Sequence, residues 1–288
     1  MINGTTKLMG LIGNPVAHTL SPVIHNTIAA NMGINMVYVP FPVTENLSTA
    51  VQGAKALKIE GMNVTVPYKT DVMESLYAID EKAAMIGAVN TLVPYGNGYK
   101  GYNTDYLGLY QALLSEGQTI TNQKFLIIGA GGSARAAAFL LAWEHAAEII
   151  IINRTLERAK QIVLDVKKET GCQFIRAISL DEVHTIKEDG YFALQATKVG
   201  LSPNEDETPI AESSFFDKLS GVYDFIYKPA ETRFMKLAKE KNIPVYNGLK
   251  MLLYQGVASF QLWNDVIVPK EVINTTYEKL KEELYQNE

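Results

Sequence analysis

The segment 124–134 constrains the fold of this chain more than any other. A strand-like run rich in branched and aromatic residues, Lys124–Ile128, leads directly into Gly129-Ala130-Gly131-Gly132-Ser133-Ala134, and an alanine-rich stretch follows to Glu144. This pattern predicts a strand, a glycine turn and a helix, which is the arrangement that binds dinucleotides. The glycines permit a tight turn and let backbone N–H groups approach a pyrophosphate at the positive end of the helix. The sequence therefore predicts a Rossmann domain.

The residues after the next predicted strand, Glu148–Ile152, indicate which dinucleotide binds. An NAD site usually has an acidic side chain here, which accepts a hydrogen bond from the ribose 2′-OH. This chain instead has Asn153-Arg154-Thr155, with Arg158 one helical turn later. Because a guanidinium can bind a 2′-phosphate with two hydrogen bonds, we expect NADP, with NAD as the second candidate. The alternative is a solvated Arg154 that only begins a helix.

Strands and helices alternate along the rest of the chain, which is typical of an α/β protein. In the first hundred residues we expect a strand at Lys7–Gly13, a helix that begins with Ser21 as its N-cap, and a further helix over Thr70–Ala78. The chain from Leu249 onward is helical and has no strand partner. We therefore expect two α/β domains, with the C-terminal helices packed back on the first. Their predicted extents are residues 1–107 completed by 248–288, and residues 108–247.

The composition excludes several classes of protein. There are 26 basic and 31 acidic residues, a net charge of −5, and no Lys and Arg cluster that would suit nucleic acid or a membrane surface. No apolar run reaches the roughly 18 residues of a membrane span. The N-terminus lacks a secretory pattern, so a cytoplasmic protein is expected. The lone Cys172 rules out an internal disulfide framework, and His18 and His25 lack partners at ligand spacing, so no metal site is expected.

Polar residues gather at predicted strand ends in the first hundred residues, where each alone is typical of a turn or a helix cap. In chain order their segments read NPVAHTLSP, NVTVPYK, GAVNT and GYNTD, and they are followed by GAGGSARA, NRT and GLKMLLYQG. This ordered set spans positions 14 to 256 and resembles the shikimate dehydrogenases. The resemblance implies reversible oxidation of the C3 alcohol of shikimate to 3-dehydroshikimate, with hydride transfer to NADP. That reaction belongs to the pathway to chorismate and the aromatic amino acids.

The resemblance also implies a role for each domain and for individual residues. The first domain would bind substrate and the second NADP, in a monomer or a homodimer. Catalysis is implied for Lys69 and its carboxylate partner Asp105, and which of the two holds the proton stays open. The residues implied to bind substrate are Thr19, Ser21, Thr65, Lys69, Asn90, Asp105, Tyr227 and Gln255. The residues implied to bind NADP are Gly129, Ala130, Gly131, Gly132, Ser133, Asn153, Arg154, Thr155, Arg158, Thr197, Phe225, Gly248 and Glu81.

Some positions depart from the family pattern. Thr19 stands where shikimate-specific members usually carry Ser, and it adds a methyl group beside C1 of the substrate. Lys198 and Gln195 replace a common Ser and Asn, and a lysine at 198 resembles the branch that also uses quinate. Tyr106, a bulky residue, directly follows Asp105. Two alternatives therefore stay open, a quinate/shikimate dehydrogenase with broader substrate and cofactor use, and a non-catalytic sensor of shikimate or quinate.

Overall fold

The computed structural model describes residues 2–285, which form two compact units. One unit contains the residues up to Gly108 together with those from Leu252 onward, and the other is Leu109–Met251. Both boundaries lie within helices, so the chain passes from one unit to the other in helical segments. Among the described residues, no helix combines the length and the apolar character needed to cross a bilayer.

The elements up to the first boundary are β1 (Lys7–Gly13), α1 (Ser21–Asn31), β2 (Met36–Pro42), α2 (Leu47–Ala56), β3 (Gly61–Val64), a 3-10 segment (Asp71–Ser75), β4 (Ala78–Ile79), α3 (Glu81–Ile86), β5 (Thr91–Tyr95), β6 (Gly98–Tyr102) and α4 (Asp105–Ser115). The later elements are β7 (Lys124–Ile128), α5 (Gly132–Trp143), β8 (Glu148–Asn153), α6 (Leu156–Thr170), β9 (Ile175–Ser179), a second 3-10 segment (Leu180–Thr185), β10 (Tyr191–Gln195), α7 (Ser213–Phe216), β11 (Leu219–Asp224), α8 (Arg233–Glu240), β12 (Val245–Tyr246), α9 (Leu249–Asn264) and α10 (Lys270–Tyr285).

The sheet of the first unit is mixed, with strand order β2-β1-β3-β5-β6-β4. The strand β1 pairs in parallel with β2 and β3, whereas β5 is antiparallel to both β3 and β6. Trp263 of α9 packs in a buried cluster with Met9, Leu11 and Tyr38, and its Nε1–H donates to the Leu92 carbonyl at 2.9 Å. The helix α10 contacts α1. The prediction that the C-terminal helices pack back on the first domain is confirmed.

Two local predictions in this unit are wrong. Leu20, not Ser21, is the N-cap of α1, because the Leu20 carbonyl already accepts the first helical bond, from Ile24 N. The stretch Thr70–Ala78 is a 3-10 segment followed by β4 rather than an α-helix. The chain there pairs with β6, and Tyr77 N and Asp80 N donate to carbonyls of that strand. This pairing at a sheet edge outweighs the local helix preference.

The second unit has a sheet of six parallel strands in the order β12-β11-β10-β7-β8-β9. The register pairs Asp224 with Gln195, Gln195 with Ile128, and Ile128 with Ile152. The carboxyl ends of the four central strands therefore lie along one edge. The strand order reverses between β7 and β10, and in sheets of this kind ligands bind outside the strand ends at such a point. The prediction of a two-domain α/β fold with a Rossmann domain is confirmed.

His25 of α1 is wholly buried in the first unit. Its ring stacks on Tyr38 with the centroids 4.2 Å apart, and Nε2 lies 3.1 Å from Asn63 Oδ1. Because Oδ1 only accepts hydrogen bonds, Nε2 carries the proton, and Nδ1 has no partner among the described residues. Burial lowers the pKa of His25 from 6.5 to about 3, partly opposed by the bond to Asn63. The side chain is therefore neutral in the folded protein.

We predict that His25 destabilises the fold at acid pH. The unfolded chain binds a proton at this position below pH 6.5, whereas the folded chain does so only near pH 3. The free energy of unfolding should therefore fall by about 1.4 kcal/mol per pH unit below about pH 6.5 from this group alone. Urea unfolding at several pH values gives the free energy of unfolding of the wild type and of His25→Asn, whose new side chain does not titrate. The difference between the two free energies should change with pH. A difference that stays constant between about pH 7 and pH 5 would contradict it.

Candidate active site

Lys69 and Asp105 form a close ion pair in the first unit. Lys69 lies in the loop after β3 and Asp105 is the first residue of α4, and the distance between Nζ and Oδ2 is 2.6 Å. The two side chains are 26% and 11% exposed, so the pair is shielded from most water but open to a small molecule. A proton acceptor must lie within hydrogen-bond reach of the group that it deprotonates, which this partial exposure allows.

The carboxylate of Asp105 is available because another residue caps the helix. The backbone N–H groups at the start of a helix are commonly bound by the side chain of an aspartate or asparagine next to them. Here Asn103 Oδ1 accepts from Asp105 N at 3.0 Å and from Tyr106 N at 3.4 Å. Asp105 can therefore direct both oxygens to side chains. The ring of Tyr106 lies over Lys82 Nζ of α3, 5.1 Å from its centroid.

Asn90, which precedes β5, holds the second oxygen of this carboxylate. Its Nδ2 donates to Asp105 Oδ1 at 2.8 Å, and it lies 3.4 Å from Gln255 Oε1 of α9. The orientation of the amide is fixed from the other side, because Thr104 N donates to Asn90 Oδ1 at 2.7 Å. Four of the sequence-predicted site residues, Lys69, Asn90, Asp105 and Gln255, are therefore joined in one hydrogen-bonded cluster.

A buried polar network that the sequence analysis missed lies behind this cluster. The amide nitrogen of Asn63 is 3.1 Å from the Asn90 carbonyl, 3.1 Å from Thr91 Oγ1 and 3.0 Å from Ser259 Oγ. Thr91, Ser259 and Thr104 lie 2.8–3.2 Å from one another through their hydroxyls. The available signal was an Asn within the apolar strand β3, since buried polar side chains require partners.

The other predicted substrate ligands of the first unit lie in the loops after the neighbouring strands β1 and β3 and, for Ser21, at the first residue of α1. Thr19 Oγ1 donates to Ser21 Oγ at 3.1 Å and accepts from Ser21 N at 3.2 Å. Ser21 is buried and Thr19 is half-buried. Thr65 directly follows β3 and is half-buried. These three hydroxyls are neutral donors of short reach, which suits a shaped pocket for an oxygen-rich ligand.

Two further predicted residues, Tyr227 and Glu81, lie in different units. Tyr227 belongs to the second unit, in the segment between β11 and α8, and burial raises the pKa of its phenol. Glu81 is an exposed residue at the start of α3. Glu81 takes no part in the hydrogen bonds described above for the cluster around Asp105.

The glycine loop of the second unit fits a dinucleotide phosphate. Gly129 has a φ of +114°, and a Cβ there would lie 3.1 Å from the Ala196 carbonyl oxygen, so only glycine permits this turn. Gly131 is the N-cap of α5 and has no side chain to cap it, and both Gly131 and Gly132 are exposed with open space above them. The N–H groups of the first helical residues, including Ser133, are therefore open to an anion. The same holds for the N–H group of Ala130, just before the helix.

The end of β8 is basic. Arg154 and Arg158 are exposed, and within residues 2–285 the arginines that form ion pairs are Arg135, Arg176 and Arg233. The guanidinium groups of Arg154 and Arg158 are therefore free to bind an anion. Asn153 Nδ2 donates to the Thr155 carbonyl at 2.8 Å, which fixes the turn between them. This arrangement suits the 2′-phosphate of NADP.

The remaining predicted cofactor residues lie beyond the ends of β10, β11 and β12. Thr197 N donates to Gln195 Oε1 at 2.6 Å. Gly248 N donates to the Ile226 carbonyl at 3.0 Å, and a Cβ at Gly248 would collide with the carbonyl oxygen of Phe225. Gly248 is therefore required for the close approach of these two segments.

Three family models match the chain in order. They are described as shikimate dehydrogenase substrate binding domain (residues 11–92), shikimate / quinate 5-dehydrogenase (residues 112–198) and shikimate 5′-dehydrogenase C-terminal domain (residues 248–276). Two curated relatives are named shikimate dehydrogenase (NADP(+)). The one from Methanococcus maripaludis is 42% identical over 96% of this chain and 99% of its own, and the one from Methanocaldococcus jannaschii is 41% identical over 92% and 94%.

Solved structures agree with these matches. A shikimate dehydrogenase in complex with NADP+ has a TM-score of 0.90 and 39% identity, and the match covers 99% of this chain and 98% of that one. A shikimate 5-dehydrogenase from Listeria monocytogenes in complex with shikimate and NAD has a TM-score of 0.88 and 34% identity, over 95% and 97%. The resemblance found in the sequence is thereby confirmed, and the chain belongs to the shikimate dehydrogenase family.

Proposed function

We propose that this protein catalyses the reversible, NADP-dependent oxidation of shikimate to 3-dehydroshikimate. The observation that carries the proposal is the shielded Lys69–Asp105 pair, 2.6 Å apart, in a chain that belongs to this family. The curated relatives named shikimate dehydrogenase (NADP(+)) support both the substrate and the cofactor. The intact pair and the open glycine loop argue against a non-catalytic sensor. We place the reaction in the cytoplasm, in a monomer or a homodimer.

Binding in the first unit is assigned to neutral groups. Thr19 and Ser21 would donate their hydroxyl protons to the substrate carboxylate, with Tyr227 near the same group. Thr65, Asn90 and Gln255 would bind ring hydroxyls. Short hydroxyl side chains can bond a carboxylate only in one position, because the hydrogen bond is lost when the ligand shifts. The shape of the pocket therefore decides which ligand binds.

The Lys69–Asp105 pair is assigned the transfer of the substrate's hydroxyl proton. Loss of hydride leaves the alcohol carbon electron-poor, so the hydroxyl proton must leave in the same event. Lys69 in its neutral form, held by Asp105 Oδ2, would take this proton and become the ammonium group of the ion pair, while Asn90 holds Asp105 Oδ1 and prevents the carboxylate from rotating away. In the reverse direction the pair returns the proton to the forming alcohol.

NADP, when bound, supplies the hydride acceptor. The backbone of Gly129–Ser133 at the start of α5 would hold its pyrophosphate, and Arg154 and Arg158 its 2′-phosphate. Asn153 and Thr155 shape the turn beside that phosphate. Phe225, Gly248 and Glu81 are assigned to the nicotinamide half, and Thr197 to the cofactor.

We predict that shikimate with NADP gives the highest kcat/KM of the four pairs formed by shikimate or quinate with NADP or NAD. The basis is the family match together with the basic end of β8. Absorbance at 340 nm follows reduction of either cofactor. Quinate with NAD as the preferred pair would contradict the proposal and favour the broader enzyme that Thr19 and Lys198 suggest.

Arg154→Ala is expected to raise KM for NADP about tenfold to a hundredfold, since a charged hydrogen-bonding contact is worth about 1.5–3 kcal/mol. KM for NAD should change little, because NAD lacks the 2′-phosphate. Arg176→Ala, at an arginine paired with Glu148 on the neighbouring strand, is the matched control. Equal losses with both cofactors would mean that Arg154 supports the fold rather than the phosphate.

Lys69→Ala is expected to lower kcat by about 10²–10⁴-fold, the usual contribution of positioned proton transfer. Asp105→Asn keeps the shape, removes the charge and should also lower kcat sharply. If the two act as one unit, the double variant should be hardly worse than either single variant. Steady-state kinetics at saturating shikimate, with exposed Lys58→Ala as control, measures this. Near-normal turnover in Lys69→Ala would refute the proton assignment, and additive losses would give Asp105 a separate binding role.

A further inference from the structure

We propose that Asp224 is a positioning residue that joins the loops after β10 and β11, and so sets the geometry of Phe225, Tyr227 and Thr197 at the nicotinamide and substrate end of the second unit. This inference rests on the proposed function, which assigns those three residues to ligand binding. Asp224 itself would touch neither ligand.

The carboxylate of Asp224 closes the loop that carries Phe225 and Tyr227. Asp224 is the last residue of β11, and its Oδ2 accepts from Thr232 Oγ1 at 2.7 Å. Its Oδ1 accepts from Ile226 N at 3.0 Å. The two ends of the segment 225–231 are therefore tied to one side chain. Thr232 is also the N-cap of α8, where its Oγ1 accepts from Met235 N, so the loop is anchored to that helix as well.

The same carboxylate reaches the neighbouring loop through Gln195. Gln195 Nε2 lies 3.4 Å from Asp224 Oδ1 and 3.2 Å from the Val199 carbonyl. Gln195 Oε1 accepts from Thr197 N at 2.6 Å. One wholly buried Asp–Gln pair therefore fixes two loops whose tips carry the predicted cofactor residues.

Burying the Asp224 carboxylate costs more free energy than an apolar side chain would cost at the same place. Asp224 is fully buried and its three partners are all neutral. Burial raises the pKa of Asp224 from 3.8 to about 6, against the opposing effect of its hydrogen bonds. An apolar side chain would fill the space without this penalty but would leave the loop N–H and hydroxyl groups without an acceptor. The carboxylate is therefore explained by the loop geometry that it imposes.

The test separates loop geometry from general damage by using two ligands. The compound 2′,5′-ADP carries the adenosine 2′-phosphate but no nicotinamide, so it reports on Arg154 and Arg158 after β8. In the sheet order β8 lies three strands from β11, or about 14 Å at the usual strand spacing. Shikimate oxidation and NADP binding report on the loops after β10 and β11.

In Asp224→Ala we expect kcat/KM for shikimate to fall about tenfold or more, because ordered contacts at the reacting end are lost. NADP affinity should fall as well, while the Kd of 2′,5′-ADP by calorimetry stays within about twofold of wild type. Asp224→Asn should restore most of the activity. Its amide oxygen can still accept from Ile226 N, and its NH₂ group can donate to Thr232 Oγ1. As an independent pair, Thr232→Val should reproduce the loss and Thr232→Ser should not.

Four results would overturn the inference. They are unchanged kinetics in Asp224→Ala, equal weakening of NADP and 2′,5′-ADP, an Asp224→Asn variant as impaired as Asp224→Ala, and no difference between the two Thr232 variants. If Asp224→Ala does not fold by circular dichroism, the Thr232 pair decides. If the wild type does not oxidise shikimate, the proposed function fails, and the ratio of NADP to 2′,5′-ADP affinities decides the role of Asp224 without reference to turnover.

Discussion

The site in the first unit depends on one buried amide, that of Asn63. A carboxamide away from water must have its donors and acceptor satisfied, since an unmade bond there costs about 1–3 kcal/mol. Its oxygen accepts from Tyr38 OH on β2 and from His25 on α1, and its nitrogen faces the Asn90 carbonyl and Ser259 on α9. Four parts of the chain must therefore reach their native positions together. The backbone of Asn90, whose side chain holds Asp105, is fixed as a consequence.

The candidate site of the second unit differs because it has hydrogen-bond donors without partners within residues 2–285. In the cluster around Asp105 the polar side chains already bond to one another, and a substrate would enter a hydrogen-bond network that has already formed. At the start of α5 the backbone donors are left open, because Gly131 offers no cap and Gly132 no obstruction. A dinucleotide phosphate would complete that helix end. Pre-formed order suits a proton transfer that needs fixed distances, whereas open donors suit a ligand that enters and leaves at each turnover.

The sequence predicted much of this fold because its strands are short apolar runs with clear ends. The bounds of β1 are those expected, since Lys7–Gly13 stops at Gly-Asn-Pro, and β7 is likewise Lys124–Ile128. The errors arose where distant contacts prevail, as at Thr70–Ala78, which pairs with β6. The apolar strand around Asn63 indicates only that this side chain needs partners, and the partners could not be predicted, because Asn63 and Ser259 are 196 positions apart. The site residues themselves came from ordered motifs, and their roles stay predictions.

The order of the units along the chain has a consequence for synthesis on the ribosome. The second unit is continuous, Leu109–Met251, whereas the first needs α9 to supply Ser259 and Trp263 and α10 to pack on α1. At about 5–20 residues per second, the first strands wait on the order of ten seconds for those helices, and the second unit can fold in the meantime. During that interval the apolar face that later receives Trp263 is exposed. The unit whose synthesis begins first is therefore the last to be completed. Its exposed apolar face is the part of the growing chain that is most prone to aggregation.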